Sequence, residues 1–523
     1  MAMRTINVYV IAILTAFTSA HTAFSAEKFM PAIPLLLLGE TPAIYKCKAT
    51  LLADLNGPGN TPYAKRANFT DLGNLTLFFA DHSETGSELW VTNGTPGGTH
   101  IVKNINPGSE DAIHTSTLSK EIVRVGDKVY FLADDGEEHG EELWITDGTT
   151  SGTNMVLDIN VGVGDSWINN LTEFNGKLYF LVGNDGQSGS QDRRRGLWVS
   201  EGTSATTRVI AANPPTVGTW SGSEPGGTMV VLNHRLIFEG SSHDEGYELW
   251  QSDGTTGGTS LLKNINPGNA DSKLQQFTVV GSKLYFMADD GTHGMEVWVS
   301  DGSSPGTHMV KDINPGPDDG AVMINIDKAF KKNPGFNNKL YFIGSTPAEG
   351  AELWITDGTN GGTQLVRDIV PGSGSPFYNG TGSPRLTFPA GEVFNGKFYF
   401  TSLRQQFEDG SPYEDEALWR VNEDGSTTIQ CFTGGWVNYL TANDNYLFYK
   451  TSQGSVQGAS RELAIMDKAG RIRVLDILPG GAQSWPKYLH MRNDQSLLFV
   501  TNNSRHAPGV GLYQVECPIE GDQ

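Results

Sequence analysis

Carboxylates are the side chains of this sequence whose types and spacing could do chemistry. Asp134 with Asp135, Asp289 with Asp290, and Asp318 with Asp319 stand in adjacent pairs, and Asp158 and Asp312 belong to a second set of loops. Donors made only of oxygen suit Ca²⁺ rather than zinc, which prefers histidine and cysteine. His139 and His293 each share a loop with one acidic pair, but one histidine per loop does not make a tetrahedral site. A further carboxylate stands two residues before a tryptophan at Glu88, Glu142, Glu248, Glu296 and Glu352. On an extended strand it shares the face of that tryptophan. An active site breaks symmetry, whereas this glutamate recurs. Its expected role is a repeated hydrogen bond to a neighbouring strand or turn. Basic and aromatic residues gather where the pattern fails: Arg193, Arg194 and Arg195; Phe377 and Tyr378; Arg404 and Tyr413. Non-repeating loops are where recognition departs from scaffold, so these are the expected ligand-binding residues.

The elements that must position these groups follow from one repeated phrase, Glu-Leu-Trp-Ile-Thr-Asp-Gly-Thr at residues 142–149. It returns at intervals of roughly fifty residues, the mark of stacked modules. Residues 277–313 show one module. A short apolar run precedes an alternating aromatic strand at 283–288, a third strand at 295–300 and a fourth at 307–313. Turns rich in Gly, Asp and Asn join them. Four short antiparallel strands make one propeller blade, and the Asp-Gly turn after the third strand needs a positive φ at its glycine.

The third-strand aromatic position falls at Trp90, Trp144, Trp198, Trp250, Trp298, Trp354 and Trp419, then weakens to Ala464 and Tyr513. The second-strand triplet, as in Leu284-Tyr285-Phe286, counts the same way. The fold class is therefore all-β, a propeller of nine four-stranded antiparallel blades, with eight as the alternative. The last module lacks a fourth strand, and residues 50–56 form an orphan one. An N-terminal strand that completes the C-terminal blade would close the ring. Aligning modules places Cys47 and Cys517 on either side of the hairpin turn this blade lacks. A disulfide between them would replace that turn. Cys431 is then expected to be a buried free thiol.

Residues 1–26 read as a secretory signal, with Arg4 before a short apolar core at 8–17 and small residues at the cleavage region. That core is too short to span a bilayer. Residues 27–42 read as a linker and 43–523 as a single propeller domain. The expected setting is secreted, periplasmic or cell-surface, with no membrane span once the signal is removed. A net charge of −22 argues against nucleic acid and anionic membranes.

The phrase and its Asp-Ile-Asn-Pro-Gly continuation at 312–316 resemble the ELWxxDGT-repeat proteins, a family of bacterial exported and surface proteins. The resemblance covers residues 43–517 and implies a β-propeller in an extracellular setting, with no shared activity. The modules at Trp198, Trp419, Ala464 and Tyr513 depart from the pattern. The resulting expectation is a binding or scaffolding module for a glycan or extracellular protein, supported by Ca²⁺, rather than an enzyme. The alternative is a secreted enzyme acting on polysaccharide, with acid and base drawn from Asp192, Glu408, Asp409, Glu414, Asp415 and Glu416.

Overall fold

The computed structural model describes residues 46–55, 68–113, 122–136, 138–183, 196–211, 229–241, 245–323, 335–377, 391–403, 416–422, 427–435, 437–451, 462–475, 477, 484–501 and 510–517. Their strands form nine separate four-stranded antiparallel sheets, each paired in the order first, second, third, fourth. Blade 1 consists of Phe69–Leu72, Leu75–His82, Gly86–Thr92 and His100–Lys103. Blades 2 to 8 repeat this arrangement along the chain. The first strands of blades 1 to 5 touch in succession, as do those of blades 7 to 9. The first strand therefore lies at the hub and the fourth at the rim.

Register explains why the repeated residues are what they are. The second-strand aromatic faces the third-strand aromatic directly across the ladder: Phe78 opposite Trp90, Phe286 opposite Trp298, Phe400 opposite Trp419. Residues directly opposed share one face, so each pair is presented to a neighbouring blade. The seam between blades 1 and 2 buries Phe79, Leu89, Phe131 and Trp144 together. The seam between blades 5 and 6 buries Met287, Val297, Phe342 and Trp354. Long cations at the rim tie the seams as well. Lys103 lies 5.3 Å from the Trp144 ring centre and Lys311 5.4 Å from that of Trp354, each in the next blade.

The turn after the third strand is held by its own side chains. In blade 2, Asp147 Oδ1 accepts from Thr149 N at 3.0 Å, and the Thr146 and Thr153 hydroxyls pair at 2.7 Å. Gly148 takes φ +86°, which costs glycine nothing. Asp147 is held below the usual carboxylate range by the Thr149 hydroxyl first of all. The turn aspartate is thus committed to its own loop and to Lys128 of the same blade, 3.3 Å away.

Closure follows the expected route. Lys48–Asp54 pairs with Gly511–Glu516 and completes blade 9 beside Leu497–Val500 and Lys487–Met491. The register breaks between Leu51 and Ala53, opposite Tyr513 and Leu512. That is where blade 1 breaks opposite Trp90 and Leu89. The borrowed strand thus carries the same bulge as a covalently connected one. Blade 8, whose third strand has Ala464 in place of tryptophan, pairs without it. A Cys47–Cys517 disulfide bridges the open end of blade 9, with Cα atoms 4.2 Å apart. Arg473 of blade 8 donates to the Cys47 carbonyl at 3.1 Å. Cys431 pairs with Leu418 in blade 7; its side chain lies outside the described part, as do residues 1–45.

Candidate functional site

The loops after the second strand meet the loops leaving the fourth strand on one face of the ring. Asp134 N bonds Ala112 O at 2.9 Å, and Asp289 N bonds Ser272 O at 2.9 Å. This is the acidic face, and the recurring glutamate organises it. Glu88, Glu142, Glu248, Glu296 and Glu352 are all fully buried. Each accepts amide hydrogens from the passage to the next blade. Glu248 takes those of Ile265 and Asn266 at 2.6 and 3.1 Å, and Glu352 that of Val370 at 3.0 Å. Glu462 of blade 8 does the same for Ile477 and Ser484. Burial outweighs these bonds. It pushes Glu142 and Glu248 up to about 7, and Glu88, Glu296 and Glu352 up to about 8. The glutamate is an internal brace between blades, as expected.

Most of the aspartates are also engaged by backbone. Asp134 accepts from Gly136 N at 2.8 Å, and Asp135 from His139 N at 3.1 Å and His139 Nδ1 at 2.8 Å. Asp289 holds Gly291 N and Lys273 Nζ, both at 2.8 Å. Asp290 holds Thr292 N, His293 N and His293 Nδ1. Bonding to Asp135 and to Asp290 raises His139 and His293 above the usual imidazole value. Asp319 caps Met295 N at 2.8 Å, while Asp318 is exposed. Asp158 and Asp312 each keep one buried oxygen, Oδ1, without a hydrogen-bond partner. Among the described residues no group of three or more His, Cys, Asp or Glu side chains converges on one point.

Of the expected ligand-binding residues only Phe377 is described. It is buried with Phe398, Phe400 and Trp419 in the seam between blades 6 and 7, so its ring is core. Arg193, Arg194, Arg195, Tyr378, Arg404 and Tyr413 lie outside the described residues, as do Asp192, Glu408, Asp409, Glu414, Asp415 and the Glu416 side chain.

Sequence reasoning missed an apolar loop on the acidic face. In the passage from blade 2 to blade 3, Val161, Val163 and Trp167 are 87, 75 and 42% exposed. Other passages place Pro107, Pro267 or Pro315 where Val161 stands. Trp167 sits at φ +51°, a region unfavourable to a bulky side chain. Its carbonyl accepts from Gly183 N at 3.0 Å, and the preceding Ser166 bonds the Glu142 carboxylate. The ring is thus presented outward on an anchored backbone.

No protein-family model and no curated protein matches this chain. Among solved structures it is similar to a puromycin hydrolase, at 14% identity and TM-score 0.34, over 73% of this chain and 57% of that one. A prolyl endopeptidase is similar at 10% identity and TM-score 0.39, over 83% of this chain and 54% of that one. Prolyl oligopeptidase B from Galerina marginata gives 11% and 0.38, over 84% and 55%. The chain therefore spans about half the length of these structures. Likeness at this level carries no argument about this chain.

Proposed function

We propose that this chain is an exported propeller of the ELWxxDGT-repeat kind that serves as a binding module, with a neutral glycan as its ligand. The observation that carries the reading is the anchored loop with Val161, Val163 and Trp167 turned to solvent on the acidic face. An exposed indole offers a flat apolar surface on which the C–H face of a sugar ring can stack. The negative charge around it disfavours polyanions. Ca²⁺ support belongs to the same proposal through Asp158 and Asp312, whose buried unpartnered oxygens are of the type that ion takes.

The test is affinity electrophoresis in gels containing neutral polysaccharides, with Trp167→Ala alongside the parent chain. Retardation of the parent and its loss in the variant support the reading. Retention by an extracellular protein alone replaces the glycan with a protein partner. Release of reducing ends moves the chain to the enzymes. A melting temperature that does not respond to Ca²⁺ or to a chelator removes the calcium part.

A further inference from the structure

One residue after its central aromatic, each second strand places a side chain in the seam with the following blade. Phe79, Leu132, Leu181, Met287 and Ile343 hold this place in blades 1, 2, 3, 5 and 6, and all are buried. In blade 4, built from Val230–Leu232, Arg235–Ser241, Tyr247–Ser252 and Ser260–Lys263, the residue is Glu239. It stands directly opposite Leu249 and so shares its face. Leu249 packs with Leu274, Phe277, Phe286 and Trp298 in the seam with blade 5. A carboxyl group therefore lies where the repeat calls for a hydrocarbon.

Glu239 is 7% exposed. Among the described residues nothing donates a hydrogen bond to it or forms an ion pair with it. Burial pushes its carboxyl up to about 8, with Asp271 and Glu248 adding repulsion. Those two neighbours are already engaged, Asp271 with Tyr247 N at 2.9 Å and Glu248 with its two amides. Blade 8 provides the contrast. Lys450 holds the same place there and is 5% exposed. Its ammonium lies 5.4 Å from the Tyr439 ring centre and 5.5 Å from that of Trp485. That buried charge is accommodated by aromatic faces, whereas Glu239 has no such partner. A buried acid with only like charges near it among the described residues is a standing penalty on folding. Departures of this kind from the local rule cluster at functional positions.

We propose that the seam between blades 4 and 5 is a binding site for a primary ammonium group, with Glu239 as the group that contacts it, its carboxyl releasing its proton to solvent as the cation binds. Glu248 and Asp271 supply further negative potential. An ammonium fits better than a metal ion because one carboxylate can hold it by a charge-assisted hydrogen bond. A metal ion at Glu239 would need further free carboxylates beside it, and Asp271 and Glu248 are already engaged. The glycan reading above rests on a different loop, and neither depends on the other.

The experiment compares the full chain with Glu239→Gln and Glu239→Leu by thermal melting in ethylammonium chloride, in tetramethylammonium chloride and in CaCl₂, at matched ionic strength. Ethylammonium is expected to raise the melting temperature of the parent above its value in tetramethylammonium, and neither variant should respond. Without added amine, Glu239→Leu should melt about 1–2 °C above the parent, since leucine fills this place in two other blades. The proposal is overturned if all three proteins respond alike, or if only CaCl₂ gives a shift that depends on Glu239. A Glu239→Leu protein that folds but melts well below the parent also overturns it, because the carboxyl would then be holding the seam itself.

Discussion

Cutting the Cys47–Cys517 bond gives the sharpest test of how the ring is fastened. The bond joins residues 470 apart, so it encloses nearly the whole propeller. Restriction of the unfolded chain by so long a loop contributes about 6 kcal/mol, an upper bound because residual structure in the unfolded chain lowers it. Unfolding entropy scales with length, so for a propeller of this size that loss lowers the melting temperature by about 6 °C. The damage should be local. Strand Lys48–Asp54 would still have its ladder to Gly511–Glu516 and the Arg473 bond to the Cys47 carbonyl, but no covalent closure. The assay pairs calorimetric melts of the parent and a Cys47→Ser, Cys517→Ser protein with hydrogen exchange. Exchange should rise across residues 48–54 and 511–516 and stay unchanged in blades 3 to 5. A double variant that melts within a degree of the parent with full protection of residues 48–54 would falsify the latch.

Other expectations follow from the same geometry. Glu296→Ala should cost about 2–4 kcal/mol, since it leaves the buried Ile313 amide and the half-buried Asn314 amide without an acceptor; denaturant melts measure it, and a cost below 1 kcal/mol would dismiss the brace. The brace glutamates Glu88, Glu142, Glu248, Glu296 and Glu352 have folded values of about 7 to 8, above the usual value of about 4.3 in an unfolded chain. The stability this protonation lends is complete below that ordinary value and is lost as pH rises through 7 and 8. Melting temperature should accordingly fall from pH 5 to pH 9, and a rise over that window contradicts the assignment. Lys311→Met removes the contact with Trp354 and the bond to Thr363 O at 3.1 Å, at a cost of about 1 kcal/mol seen as a lower denaturation midpoint. Trp167→Gly should abolish glycan retardation while stabilising the chain by about 1 kcal/mol, because glycine accepts the positive φ that tryptophan resists.

The repeated phrase was enough to read the architecture, because each blade is a local unit with short turns and strict alternation. The nine second-strand triplets and the aromatic at the third-strand position could be counted by eye, and the ladder sets them opposite one another. Even the disulfide was legible, since it stands where an otherwise constant turn is missing. Side-chain environment was not. Asp134, Asp135, Asp289 and Asp290 look like free ligands in the sequence, yet backbone amides and histidines take them up once the loops fold. Phe377 looked like a recognition residue, but folding puts it against Phe398 and Trp419.

Glu239 lies between these cases. Its misfit is visible in the alignment of blades, as an acid where blades 1, 2, 3, 5 and 6 carry apolar groups. Only the packing of blade 5 beside it turns that misfit into a buried acid with no partner among the described residues. By itself the sequence determined the strand order within a blade and the way the ring closes, and it favoured nine blades over eight, because these depend on local pattern and chain connectivity; the nine sheets of the structure decided the count. Which polar groups are used up and which remain available was decided by the tertiary structure, because burial and hydrogen-bond satisfaction depend on neighbours distant along the chain.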